Sequence, residues 1–144
     1  MRPQLFPRQA DSAETLWAID RALELAEARN PPESAIPAIG PAWVGEEALG
    51  VALHCALSTA NVSLAVRMAV NHDGDSDTTG SLVGQLMGAM HGEEALPARW
   101  LDKLELRDTI QTVAADLSAF HQWQVAEYDT SDVSQKIWDR YPGW

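Results

Sequence analysis

The stretch from Asn71 to Gly92 reads N-H-D-G-D-S-D-T-T-G-S-L-V-G-Q-L-M-G-A-M-H-G, and the rest of the chain is best interpreted around it. Carboxylates alternate at Asp73, Asp75 and Asp77. At about 5 Å and an effective dielectric constant of about 20, each pair repels by about 3 kcal/mol. A helix N-terminus offsets only about 0.3–1 kcal/mol per anion. We therefore expect a hard cation here, and oxygen ligands without Cys or His favour Mg, Mn or Ca over zinc.

The residues that follow the aspartates predict a buried helix over 77–91. Glycine recurs every four residues at Gly80, Gly84 and Gly88, so the three lie on one face. Each glycine costs a helix about 1 kcal/mol relative to alanine. The usual compensation is the close approach of a neighbouring backbone, which we expect along this face. Gly92 is the predicted C-terminal cap.

Helical spacing of apolar residues extends to both sides of this element, whereas no segment alternates as a strand does. In the first predicted helix, the expected buried face consists of Leu16, Ile19, Leu23 and Ala26. The proline-rich connector from Pro31 to Pro41 is expected to hold one short turn and no long element. The predicted class is all-α, with further long helices over 11–29, 45–58, 61–70 and 106–122.

The composition narrows the function classes. The 144 residues suit one domain, and the formal net charge of −11 argues against binding to nucleic acid or to an anionic membrane surface. No apolar run is long enough to cross a membrane, and the N-terminal residues do not resemble a signal peptide. The single cysteine, Cys55, is expected to be a buried thiol, and a cytoplasmic location is the default expectation.

The segment that carries Asp73, Asp75 and Asp77 is called the aspartate loop here. Two other interpretations of this loop are disfavoured by the residues around the aspartates. An EF-hand loop that begins at Asp73 needs glycine and glutamate where this chain has Thr78 and Gly84. The run from Asp75 to Thr79 also fits the Asp-x-Asp-x-Thr pattern of haloacid dehalogenase-type phosphatases. That pattern follows a buried strand, and the residues before Asp75 do not form one.

The run Asn-x-x-Gly-Asp-Ser-Asp-Thr leading into a glycine-rich helix resembles the C-terminal metal motif of the ADP-ribosylglycohydrolases, the group that includes the dinitrogenase reductase activating glycohydrolase. The segments that begin at Trp43 and at Gly92 resemble the same family. Altogether, the resemblance covers roughly residues 12–118. The resemblance implies an all-α orthogonal helical bundle with two Mg or Mn ions. It also implies that Asp75, Asp77 and Thr78 are metal ligands, and it assigns no such role to Asp73.

The chain departs from the family pattern in one important respect. Family members are about twice as long, and their N-terminal half carries Gly-Asp-x-x-Gly and Thr-Asp-Asp motifs that supply the other ligands and the catalytic carboxylate. This chain has no equivalent, because its remaining candidates, Asp102, Asp108 and Asp116, are isolated acids. The resemblance is therefore to a C-terminal half, with a flexible arm over 1–10, the helical domain over 11–122 and a tryptophan-rich tail over 123–144.

For function, the resemblance implies hydrolysis of the glycosidic bond between ADP-ribose and a protein or small acceptor. Because these motifs are missing, the sequence leaves open whether the chain is an enzyme by itself. No catalytic residue is assigned. The alternative is a non-catalytic remnant or accessory module that binds ADP-ribose or a partner protein. The expected partners are ADP-ribosylated protein or ADP-ribose, together with a complementing N-terminal half or a second copy of the chain.

Overall fold

The computed structural model describes residues 12–123 and 131–141. The described residues form eight α-helices and no strand, which confirms the all-α class. The predicted arm over 1–10 lies outside them. The helices are α1 (Ala13–Glu27), α2 (Pro32–Ile39), α3 (Gly45–Ser58), α4 (Val62–Val70), α5 (Ser76–His91), α6 (Ala98–Leu101), α7 (Arg107–Ala119) and α8 (Asp132–Arg140).

The chain divides into two compact units, Met1–Asp102 and Lys103–Trp144. In the first unit α3 is the central helix, since α1, α2, α4 and α5 all pack against it. Its buried residues occur on most of its circumference. The core that results is built from small and medium side chains such as Ala22, Val51, Ala65, Val83 and Met87. In the described part of the chain, no helix is both long enough and apolar enough to cross a membrane.

The ends of the helices around the aspartate loop follow from local chemistry. Asn61 has extended backbone angles, and its side chain accepts a hydrogen bond of 2.9 Å from the Leu64 amide, which caps α4. On the other side of the loop, α5 runs from Ser76 to His91 and stops at Gly92, whose φ of +75° favours glycine. The predicted helix over 77–91 and its cap are confirmed.

The proline-rich connector contains more structure than predicted. Residues Pro32–Ile39 form a helix of eight residues, so the expectation of one short turn was wrong. Pro32 occupies the first helical position, where a missing N–H costs nothing. Pro37 lies inside the helix and removes one backbone hydrogen bond, but the burial of Ala35, Ile36 and Ile39 against the core stabilises the helix. Tertiary packing has overridden local propensity here.

The buried face of α1 also differs from the prediction. Leu16 and Leu23 were expected inside, but they are 56% and 41% exposed, and the buried residues are Ala18, Ala22 and Leu25. The two faces differ because α1 packs closely on α3. At the contact, a Cβ added to Gly50 would lie 3.1 Å from the Ala18 carbonyl oxygen. Only a small side chain fits on α1 at this point, which explains Ala18, while Leu16 and Leu23 lie on the exposed side of the helix.

The glycine face of α5 does not meet a neighbouring backbone among the described residues, so that expectation was wrong. A Cβ added to Gly84 or Gly88 would have no other group within 4 Å, and one added to Gly80 would meet only the Val70 side chain, at 2.7 Å. The adjacent side of α5, with Thr79, Val83 and Met87, is buried. One side of the helix therefore packs in the core, while two of its glycines face open space.

The second unit consists of α7, a following 3₁₀ turn at Phe120–Gln122, and α8. The helix predicted over 106–122 is confirmed as α7 and the 3₁₀ turn that follows it, and the described residues of the tail also form α8. Asp116 of α7 accepts hydrogen bonds from Arg140 at 2.6 Å and from Tyr141 at 2.8 Å, which ties α7 to the end of α8. The predicted domain limits at residues 10 and 122 stay predictions.

Candidate metal centre

The aspartate loop packs against Pro41, which lies in the segment between α2 and α3. A Cβ added to Gly74 would lie 1.6 Å from the Pro41 carbonyl oxygen, so only glycine fits at this position. The same oxygen accepts a hydrogen bond of 3.2 Å from the Asp75 amide. The loop is thus fixed to Pro41 both at Gly74 and at Asp75, the first predicted metal ligand.

His72 and Thr79 hold the loop from within. The Gly74 amide donates to His72 Nδ1 at 3.0 Å, so this nitrogen is an acceptor and the proton resides on Nε2. Nε2 then donates to Thr79 Oγ1 at 3.1 Å. The Thr79 hydroxyl is fully buried and donates to the Ala69 carbonyl at 2.6 Å, which joins the end of α4 to the start of α5. These hydrogen bonds define the path of the loop between the two helices.

The predicted ligands Asp75, Asp77 and Thr78 lie together at the start of α5. A hydrogen bond with the Asp77 side chain is the main cause that lowers the pKa of Asp75, and the Thr78 hydroxyl and amide act in the same direction. The nearby His72 adds a smaller electrostatic contribution. The Thr78 amide also donates to Asp77 Oδ1 at 2.7 Å. Two carboxylates and a hydroxyl therefore converge on one end of the helix, where its dipole favours negative charge.

The donor set agrees with a hard divalent cation in type but is short in number. Carboxylate and hydroxyl oxygens are the ligands that Mg and Mn prefer, and Mg requires six in near-octahedral order. Within residues 12–123 and 131–141, no group of three or more His, Cys, Asp or Glu side chains is arranged to hold a metal ion. Asp75, Asp77 and Thr78 can supply one side of such a site, and other donors must complete it.

A cleft of about 440 Å³ opens beside the loop. One wall comes from α2 and the connector, with Glu33, Pro37 and Pro41, and the other is the loop itself, from Asn71 to Gly74. Asp73, to which no ligand role was assigned, is exposed and lines this cleft. The cleft provides space for a bound molecule next to the candidate ligands.

The other polar residues that the sequence brings to attention lie away from this centre or serve the fold. His54 is fully buried in α3, with neither ring nitrogen hydrogen-bonded to a described residue, and burial lowers its pKa despite a small opposing effect of the Ala22 backbone. Its neighbour Cys55 is buried as expected, and burial raises the pKa of its thiol to about 12, so it is unreactive. Asp116 is engaged by Arg140 and Tyr141.

The residues that organise the loop, His72, Gly74 and Thr79, were not assigned these roles from the sequence. In sequence, His72 looks like a solvated loop residue or a substrate contact, and Thr79 is only the last residue of an Asp-x-Asp-x-Thr pattern. A signal for Gly74 was present in the Asp-Gly-Asp run, since glycine between acids often marks a tight backbone approach. The partner of that approach, Pro41, is more than thirty residues away and could not be identified without the fold.

Comparison with known proteins places these residues in a family context. The family model described as ADP-ribosylglycohydrolase matches residues 3–127. A segment of 38 residues is 50% identical to the ADP-ribosyl-[dinitrogen reductase] glycohydrolase of Rhodospirillum rubrum, and it covers 26% of this chain and 13% of that protein. A segment of 71 residues is 32% identical to the ADP-ribosylarginine hydrolase Tri1 of Serratia proteamaculans (strain 568), covering 49% of this chain and 19% of the relative.

The corresponding enzyme of Pseudomonas putida (strain GB-1), also named ADP-ribosylarginine hydrolase Tri1, is 31% identical over 71 residues and is covered to the same extent. The matched segments thus span less than a fifth of the curated relatives' length. No solved structure matches the chain. The family model, in contrast, covers most of the chain. The protein belongs to the ADP-ribosylglycohydrolase family.

Proposed function

We propose that this chain contributes one side of a binuclear Mg or Mn site that hydrolyses the glycosidic bond of ADP-ribosylated protein or of a small ADP-ribosylated acceptor. The observation that carries the proposal is the convergence of Asp75, Asp77 and Thr78 at the start of α5 in a chain of this family. The names of the relatives, which refer to ADP-ribosylarginine and to ADP-ribosylated dinitrogen reductase, support this substrate class.

In this proposal Asp75 and Asp77 are the carboxylate ligands, and Thr78 contributes its hydroxyl or its backbone oxygen. The lowered pKa of Asp75 keeps its carboxylate ionised, as a ligand must be. His72, Gly74 and Thr79 position these ligands by fixing the loop to Pro41 and Ala69. When bound, the ions supply Lewis-acid polarisation of the ribose and activation of a water. The cleft beside the loop is the proposed place for the substrate.

The remaining ligands and the catalytic carboxylate are proposed to come from a complementing N-terminal half. A site with only two carboxylates and one hydroxyl would bind divalent ions weakly, because most of the coordination shell would be water. The absence of a cluster of three metal-ligating side chains among the described residues favours a second candidate function. In that case the chain is a non-catalytic module that binds ADP-ribose or a partner protein.

Calorimetry and a hydrolysis assay distinguish the two functions. The purified chain is titrated with ADP-ribose in the presence of Mn, and its ability to release ADP-ribose from ADP-ribosylated arginine is measured alone and after addition of an N-terminal half from a relative. We expect no turnover by the chain alone and turnover on complementation, which Asp75→Ala with Asp77→Ala abolishes. Turnover by the chain alone would refute the incomplete site, and ADP-ribose binding without turnover on complementation would favour the binding module.

A further inference from the structure

In the described part of the second unit, a row of apolar side chains on and around α7 is exposed. Among its described residues the only buried side chain is that of Ser134. Apolar side chains on α7 and its flanks are between 38% and 71% exposed: Leu106, Ile110, Val113, Leu117 and Phe120. The described residues of this unit contain no buried apolar core that could offset the conformational entropy lost when they fold. Its stability must come from another apolar surface.

These five residues follow the spacing of a coiled-coil seam. The intervals between Leu106, Ile110, Val113, Leu117 and Phe120 are four, three, four and three residues. Ile110, Val113 and Leu117 therefore share one face of α7, and Leu106 and Phe120 flank this stripe just before and just after the helix. The only charged residues of α7 are Arg107, Asp108 and Asp116. Asp116 is neutralised by its ion pair with Arg140, so like-charge repulsion along the stripe is small despite the acidity of the whole chain.

One half of this stripe lines a cavity of about 330 Å³. The cavity is lined almost entirely by apolar atoms, from Val113, Leu117 and Phe120 on the α7 side and from Ile137, Trp138 and Tyr141 on the α8 side. The other half of the stripe, Leu106 and Ile110, does not line the cavity and projects two branched aliphatic side chains. The stripe thus has a recessed half, which is the cavity, and a projecting half, whose aliphatic side chains could fill such a cavity.

We propose that a second copy of this chain occupies this surface, with the two α7 helices antiparallel about a twofold axis near Val113. Antiparallel pairing brings Leu106 and Ile110 of each copy to the cavity of the other, so each recess is filled once. Parallel pairing would instead set recess against recess. With areas of about 200 Å² for each fully exposed residue, the exposed fractions give roughly 1,100 Å² buried in total, just above the minimum of about 1,000 Å² for a biological interface. The interface does not depend on the proposed metal site.

Sedimentation equilibrium of the full chain tests the association. The expected mass is twice the 15.7 kDa of the monomer. Leu117→Glu places a charge in the seam and should give a monomer, whereas Ala115→Glu adds the same charge on the opposite face of α7 and should leave the dimer intact. A monomeric wild-type chain, or equal effects of the two variants, would overturn the proposal. Circular dichroism of both variants controls for loss of folding.

Disulfide trapping tests the arrangement without disrupting the seam. Cys55 is fully buried, so introduced thiols are the reactive ones. Val113→Cys lies beside the twofold axis and should cross-link under mild oxidation, whereas Ala115→Cys should not. When Leu106→Cys and Phe120→Cys proteins are mixed, the mixed disulfide should predominate. Cross-linking of Ala115→Cys as efficient as that of Val113→Cys would contradict the interface, and a predominance of Leu106→Cys pairs would contradict the antiparallel order.

Discussion

The contact between Gly74 and Pro41 gives the sharpest prediction of the account. Replacing Gly74 by alanine would put a methyl group 1.6 Å from the Pro41 carbonyl oxygen, and this oxygen belongs to the backbone and cannot rotate away. The loop must therefore move. The Asp75 amide then loses its bond to Pro41, and the Gly74 amide loses its bond to His72 Nδ1. At about 1 kcal/mol for each, Gly74→Ala should destabilise the fold by about 2 kcal/mol.

For a chain of this size, that loss lowers the melting temperature by about 4–8 °C, which differential scanning calorimetry measures directly. The matched control is Gly84→Ala, since the added methyl there has no other group within 4 Å. In the middle of a helix the same substitution should stabilise the protein by up to about 1 kcal/mol. The two variants should therefore move the melting temperature in opposite directions. Equal shifts, or a Gly74→Ala variant as stable as the wild type, would refute the packing of the loop.

Two further predictions concern buried polar groups. Thr79→Val preserves shape but leaves the Ala69 carbonyl and His72 Nε2 without their partner, so we expect a loss of about 1–3 kcal/mol in urea unfolding, with Thr79→Ser close to wild type. If valine were tolerated as well as serine, the hydroxyl bridge would not stabilise the loop. Burial lowers the pKa of His54, so the folded protein binds fewer protons than the unfolded chain. Stability should be complete above the unfolded value of 6.5 and fall as the pH drops below it. His54→Leu should remove that part of the pH dependence, and an unchanged profile would show that other groups cause it.

Much of the first unit was predictable because its signals are local. The cap at Asn61, the start of the helix at Gly45 and the end of α5 at Gly92 each follow from residues within one turn of the boundary. The candidate metal ligands were predictable for a similar reason, since Asp75, Asp77 and Thr78 lie within four consecutive residues. Local sequence determines both their order and their place at the start of a helix.

Other features depend on residues that are distant along the chain. The helix at Pro32–Ile39 exists because its apolar side chains are covered by the core, and its two prolines argue against it locally. The choice of Ala18 and Ala22 as the buried face of α1 is determined by the close approach at Gly50. Likewise, Gly74 meets Pro41 only when the fold brings the loop to the connector. Periodicity identifies helices but does not measure the distance between them.

In the second unit, the sequence predicts the helix but not what covers its apolar face. The spacing of Leu106, Ile110, Val113, Leu117 and Phe120 predicts one apolar side of a helix, and α7 forms there. Such a stripe ordinarily indicates a buried face, but these side chains are exposed among the described residues. The pattern indicates an apolar surface that packs against another surface, but it does not identify that second surface. The cavity beside α8 supplies the complementary shape from which the second copy was inferred.

The most direct test of the central claim is Mn binding, measured by electron paramagnetic resonance of free Mn during titration of the purified chain. The comparison is between Asp75→Asn, Asp77→Asn and Asp73→Asn, which remove the same charge from the same loop. Weak binding by the wild type should be lost in the first two variants and retained in Asp73→Asn, because only Asp75 and Asp77 are proposed ligands. Equal loss in all three variants would indicate nonspecific attraction to an acidic loop, and unchanged binding in all three would exclude the loop as a metal site.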